Sequence, residues 1–264
     1  MKRIAAGLLF ALLLVLFSTP AHAEDEPSPD TLASVHAKGE LRWGGDSQGG
    51  APYVFQDPMD PNHLIGFEVD LAEALARKLG ARARPIQGQW DSLLELLGRG
   101  DFDVAINGIE VAEEKKRVCE LSRPYFAAAE KLTVRRGDSA APRSLEALAG
   151  RKVGTLPGSL AERILKRAGA EVKTYDGGQN DIFDDLKIGR TDAVLLDDPI
   201  TRYYGSIDPV FEVLPGAYGE IQYAVASKQG DAAMLASVNQ ALDELGKDGT
   251  LAAIYARWGL WTEE

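Results

Sequence analysis

From residue 41 to residue 196, short apolar runs alternate with helical patterns, and the alternation runs twice. A strand reads over 41–44, and a helix over 68–79 sets Val69, Ala72, Leu75, Ala76 and Leu79 on one face before Gly80 stops it. A second helix over 92–97 precedes FDVAI (102–106), an apolar run of the kind buried on both faces of a sheet. A strand over 130–134 follows, and then the pattern restarts. Helices over 145–149, 159–167 and 181–188 separate strands over 152–155, 172–175 and 193–196. Two runs of this kind predict two α/β lobes with largely parallel sheets. A strand over 221–226 and amphipathic helices over 232–245 and 251–258 complete the chain. Their stripe of Leu235, Val238, Leu242 and Leu245 must be buried. The simplest arrangement returns the chain to the first lobe, giving two crossovers and a cleft where small ligands tend to sit.

The first 23 residues read as a secretory signal. Lys2 and Arg3 are followed by an apolar stretch over 4–17, and Ala21-His22-Ala23 fits small-x-small cleavage. The apolar stretch is short for a membrane span. With no cysteine near the cleavage point, the expectation is a soluble periplasmic protein without a lipid anchor. Residues 24–30 (EDEPSPD) are charged, Pro-rich and expected to be disordered. A net charge of −11 argues against nucleic acid or an anionic membrane surface as partner. Cys119, the one cysteine, reads as a core or half-buried thiol, so no intramolecular disulfide is available. His22, His36 and His63 form no metal-spaced set, and neither a metal nor another cofactor is expected.

The segment AINGIEVAEEKK (105–116) carries the most chemistry. Asn107-Gly108 breaks the FDVAI strand, and a helix reads over 113–118. Such a turn offers backbone N–H groups and the positive end of a helix dipole to an anion, with Lys115 as a nearby cation. An ordinary βα turn with solvated charges would look the same.

Several segments together resemble the periplasmic solute-binding proteins of polar amino-acid ABC importers, bacterial extracellular solute-binding family 3. They are LRWGGDSQGGAPYVF, LIGFEVDLAEALARKLG, QWDSLLELLGRGDFDVAINGIEV, RKVGTLPGSLAE, GRTDAVLLDDPITRYY and KDGTLAAIYARWG, in that order. The resemblance implies a two-lobed type II periplasmic-binding-protein-like fold with mixed, mostly parallel sheets flanked by helices and two hinge crossovers. One lobe would comprise 24–129 and 223–264, the other 130–222. The protein would be a monomer that closes on a free amino acid and delivers it to a membrane permease, without inserting in the membrane itself. By the same resemblance Asp197 holds the ligand's ammonium, where a strand-end carboxylate capping a turn is the plain alternative. Trp90 matches an aromatic lid, with Tyr53 as a second wall, although a tryptophan after a strand also suits a core. Asp46 matches a position that meets the ligand's side chain. Ser159, after Pro157-Gly158, matches a turn that receives the ligand's carboxylate together with Asn107, Gly108 and Lys115, and it suits a helix N-cap in either case. Leu156 and Leu196 imply an apolar part of the side-chain pocket.

The chain departs from the family at the carboxylate clamp. Glu110 stands where a Thr or Ser is usual, and Lys115 where an Arg is usual. Arg grips a carboxylate with a planar fork, whereas Lys offers a mobile point charge. Arg117 lies about 200° further round a helix and is no substitute. Glu110 then has three options: to pair with Lys115, to meet a second cation on the ligand, or to point away from the cleft.

The leading expectation is a receptor without catalysis. A periplasmic cyclohexadienyl dehydratase is the enzymatic alternative, with Glu110 beside Lys115 as the one pair suited to acid–base work. A ligand-sensing subunit for a chemoreceptor or histidine kinase is a third.

Overall fold

The computed structural model describes residues 30–175 and 179–260, so the signal segment and most of the acidic stretch after it lie outside the described residues. In chain order the first part comprises α1 Thr31–Lys38, β1 Glu40–Gly45, the hairpin β2 Phe55–Asp57 and β3 Asp60–Ile65, and α2 Phe67–Lys78. It continues through β4 Arg82–Gln87, α3 Leu93–Arg99, β5 Val104–Ala105 and β6 Cys119–Leu121. The second part holds β7 Phe126–Arg135, β8 Lys152–Thr155, α4 Leu160–Arg167, β9 Glu171–Thr174, α5 Gln179–Lys187, β10 Ala193–Asp197, the single turn α6 Asp198–Ile200, β11 Phe211–Val213 and β12 Glu220–Tyr223. The chain ends with β13 Ala226–Lys228, α7 Ala232–Lys247 and α8 Thr250–Arg257.

Two sheets organise these elements. The first has the order β4-β1-β5-β13-β6, the second β11-β7-β10-β8-β9 with β12 alongside β7. The βα alternation read from the sequence yields the parallel pairs β4-β1-β5 and β10-β8-β9. The remaining pairs are antiparallel and involve strands that carry the chain between sheets. Such strands arrive without a crossover helix and so can run either way. The strand expected over 221–226 is therefore broken. Glu220–Tyr223 pairs with β7 of the second sheet, whereas Ala226–Lys228 joins the first. The chain crosses here and again between β6 and β7, giving two adjacent connections between lobes.

Burial explains which periodicities became elements. The α2 stripe of Val69, Ala72, Leu75, Ala76 and Leu79 is buried, and each large aliphatic there contributes about 1.5–3 kcal/mol by leaving water. On α7 the buried stripe is Met234, Val238, Ala241, Leu242 and Leu245, with Leu235 partly exposed. It packs on α2 and α1 and so returns the C-terminal helices to the first lobe.

Two expected helices are single 3-10 turns. Around Lys115 the turn covers Lys115–Arg117, and in the second lobe it covers Glu146–Leu148. Residues 115–118 present Lys115, Lys116, Arg117 and an exposed Val118, with no apolar face to hold a longer helix down. Cys119 is buried, its Sγ donating to the carbonyl of Lys115 at 3.3 Å, and desolvation lifts its thiol to about 11. No described helix is long and apolar enough to cross a membrane.

Candidate functional site

A cleft of about 650 Å³, part of it open to solvent, lies between the two sheets. From the first lobe it is lined by Asp46, Tyr53, Trp90, Asn107, Gly108 and Glu110, and from the second by Leu156, Ser159 and Asp197. These are nine of the eleven residues that the sequence singled out. Lys115 is not in the lining. Its Nζ sits 5.6 Å from the centre of the Trp90 ring and 3.9 Å from Glu110 Oε2, behind both residues. Burial there pulls its ammonium below the usual lysine range, with Glu110 acting in the opposite direction. Leu196 is also absent from the lining and belongs to the core.

Asp197 ends β10 and opens into the cavity. The hydroxyls of Tyr53, at 2.9 Å, and of Tyr223 both donate to its Oδ2. Desolvation raises the Asp197 carboxyl above its ordinary range; the tyrosine hydroxyls oppose that rise, and the charge of Glu110 adds to it. Tyr53 comes from the first lobe, so this contact also ties the lobes together.

Trp90 is held as a wall by two bonds. Its backbone N–H donates to Asp46 Oδ2 at 3.1 Å and its indole N–H to the Asn107 carbonyl at 2.9 Å. Asp46 also accepts from the Gln48 backbone at 2.9 Å and from the Gln87 amide at 3.0 Å. The expected lid therefore has a fixed orientation, and Asp46 spends its carboxylate on fixing it.

The proposed anion seat has a different arrangement from the expected one. Gly108, at a φ of 58° open to glycine, donates its N–H to Glu68 at 2.7 Å. Ser159 caps α4 by accepting the Glu162 N–H at 3.1 Å, while its own hydroxyl donates to the Leu156 carbonyl at 2.8 Å. Glu110 crosses the cleft: Oε1 accepts the Leu160 N–H at 2.8 Å and Oε2 meets Arg163 at 3.1 Å. Of the three options for Glu110, pairing with Lys115 holds at 3.9 Å, but the nearer partners belong to α4. The helix dipole that meets an anion is that of α4, since the turn at Lys115–Arg117 is too short to have one.

Residues 41–260 match the family model of bacterial extracellular solute-binding proteins, family 3. The chain belongs to this family. Among curated relatives it is similar to the L-cystine-binding protein TcyJ of Escherichia coli strain K12, at 32% identity over 210 residues, covering 78% of each chain. Among solved structures it resembles holo ArgBP from T. maritima at a TM-score of 0.76 and 30% identity, covering 86% of this chain and 98% of that one. It also resembles an ancestral amino acid-binding protein described as a precursor of cyclohexadienyl dehydratase, at a TM-score of 0.80 and 29% identity, over 86% of this chain and 99% of that one.

In this solute-binding protein three residues support the site without having been found in the sequence. Glu68 is fully buried in the first turn of α2, where it also takes the Tyr125 hydroxyl and, at 3.4 Å, the Asn107 amide. Desolvation lifts its carboxyl to about 7 against these donors. Tyr223 lies at the second crossover, and Arg163 sits one turn into α4. The signal for Arg163 was its place four residues after Ser159, on a helix facing Glu110. Among the described residues no cluster of three or more His, Cys, Asp or Glu is placed to hold a metal.

Proposed function

We propose that the protein captures a free amino acid in the interlobe cavity and hands it to an ABC permease after export to the periplasm. The lobes are taken to divide at 129/130 and 222/223, beside the two crossings. Asp197 would take the ammonium, Trp90 and Leu156 would flank the side chain, and Asn107, Gly108 and Ser159 would shape the floor and far wall. The single observation that carries this reading is the Asp197 carboxylate, half-buried at the cavity wall and held there by two tyrosine hydroxyls. A cation meeting it gains a charge-assisted bond in a partly desolvated cleft. Because Asp197 and Trp90 belong to different lobes, a ligand touching both favours the closed form.

The names of the relatives support the amino-acid class, since they specify cystine, arginine or glutamine. Reversible capture is favoured over dehydration by the state of Glu110. Its two oxygens are held by Leu160 and Arg163, an arrangement suited to an ion pair and poorly suited to a proton shuttle.

Calorimetric titration of the mature protein with the common amino acids and cystine tests the reading. A saturable one-site heat that disappears in Asp197→Asn is expected, and the absence of heat with every amino acid overturns it.

A further inference from the structure

Each donor expected to receive a ligand carboxylate already has a protein partner. The Gly108 N–H is on Glu68, the Ser159 hydroxyl is on the Leu156 carbonyl, and Lys115 lies behind Trp90 against Glu110. At the first turn of α4, the Leu160 N–H is on Glu110, the Glu162 N–H on Ser159 Oγ, and the Arg163 N–H on the Ser159 carbonyl. The helix end is thus filled by a carboxylate that the chain itself supplies. Glu110 is 5% exposed and reaches α4 from the opposite lobe, so it occupies the place in the closed form that a bridging anion would take.

Charge around the cavity points the same way. Asp46, Asp91, Glu110 and Asp197 line it, and among the described residues its lining holds no Lys, Arg or His. A further acid, Glu130, lies opposite Asp197 on the neighbouring strand and is fully buried. Desolvation, then Asp197 and Glu110, push its carboxyl well up. A ligand carboxylate entering here must displace Glu110 from α4 and lie among these acids.

We propose that Glu110 sets the specificity of the cavity by acting as a built-in substitute for the ligand's α-carboxylate, so that basic amino acids are selected through their positive groups. The inference rests on the amino-acid reading above. It carries two consequences. Basic amino acids bind more tightly than neutral ones, and neutralising the α-carboxylate as an amide has little effect.

The test measures wild type and Glu110→Thr by calorimetry with L-arginine, L-lysine and L-glutamine, and with L-argininamide and L-lysinamide, below neutral pH so that the amides keep their α-ammonium. In wild type, arginine or lysine exceeds glutamine in affinity, and the matching amide lies within tenfold of its amino acid. In Glu110→Thr the preference for the amino acid over its amide rises at least tenfold, because α4 is now free for the ligand's anion. Arg163→Met loosens Glu110 without altering the cavity lining and moves the same ratio in the same direction. It serves as the readout if circular dichroism shows Glu110→Thr unfolded. An amide penalty above tenfold in wild type, tighter glutamine, or a ratio unchanged in the folded variants overturns the inference and leaves the amino-acid reading standing. No binding of any of these probes to either protein overturns the inference, while the amino-acid reading falls only if the full panel with cystine is silent as well.

Discussion

The Glu68 carboxylate accepts the Gly108 backbone N–H at 2.7 Å, which fixes the turn after the β5 strand from a helix 40 residues earlier in the chain. Gly66 makes this approach possible. Its φ of 140° lies outside the reach of ordinary residues, and a Cβ there would come within 1.8 Å of the Tyr53 carbonyl. The α2 helix therefore starts pressed against residues 52–53, with Glu68 aimed beneath the cavity.

That placement has a measurable effect on stability. The Glu68 carboxyl sits at about 7 in the fold against 4.5 in the open chain, so the folded state binds the extra proton between those values. Stability therefore falls as pH rises through this window, by up to about 3 kcal/mol at 1.36 kcal/mol per pKa unit. Urea unfolding between pH 4.5 and 8 should show this decline, and Glu68→Gln should flatten it. A wild-type slope equal to that of the variant refutes the assignment.

Asp197 predicts a pH dependence of binding with the opposite sense. Its raised carboxyl must be ionised to hold a cation, so affinity is lost as pH falls through a value above the ordinary carboxylate range. The Tyr223 hydroxyl bonds the ionised form. Tyr223→Phe removes a bond to a charge worth about 1.5–3 kcal/mol, which moves the acid midpoint of binding up by roughly 1–2 pH units. Calorimetry over a pH series reads this midpoint. A midpoint that stays in place or drops assigns the titration to another group.

Lys115 is expected to matter less than the sequence suggests. It stands behind Trp90 and beside Glu110, outside the cavity lining. Lys115→Gln should change ligand affinity by less than about fivefold, near 1 kcal/mol, whereas Asp197→Asn should remove measurable binding. A Lys115→Gln loss equal to that of Asp197→Asn would return Lys115 to direct ligand contact.

The elements legible in the sequence are those whose faces are set by neighbours along the chain. Residues 153–155 and 193–196 are flanked by helical segments and buried throughout, and α2 and α7 carry one continuous stripe each. Strand Arg82–Gln87 was invisible because RARPIQ lies at a sheet edge, mostly exposed, with a register given entirely by β1. Thr31–Lys38 was hidden by the acidic, Pro-rich stretch before it, although Asp30 supplies its N-cap. For the site, residue types pointed to the cavity wall, but partners did not follow from them. Glu68 reads as an acid suited to the start of a helix, and its burial depends on donors at 107, 108 and 125. Glu110 faced several possible partners until α4 was placed opposite it.

Trp90 separates a wall from a spectator. Its ring is set by the Asp46 bond at its backbone and by the indole bond to the Asn107 carbonyl, with Lys115 over its face. Trp90→Phe keeps an aromatic surface and loses the indole bond, worth about 0.5–1.5 kcal/mol, so affinity should fall roughly two- to twelvefold. Trp90→Ala removes the surface as well and should cost considerably more, while the half-buried position limits the loss of thermal stability. Ligand-induced change in tryptophan fluorescence gives an independent reading. The chain has four tryptophans, and among the described residues Trp90 is the one in the cavity lining, so the response should vanish in Trp90→Phe even where calorimetry still detects binding. If both substitutions leave affinity and fluorescence response as in wild type, the ligand does not lie against this ring, and the cavity wall that it contacts must be formed by Tyr53 and Leu156 instead.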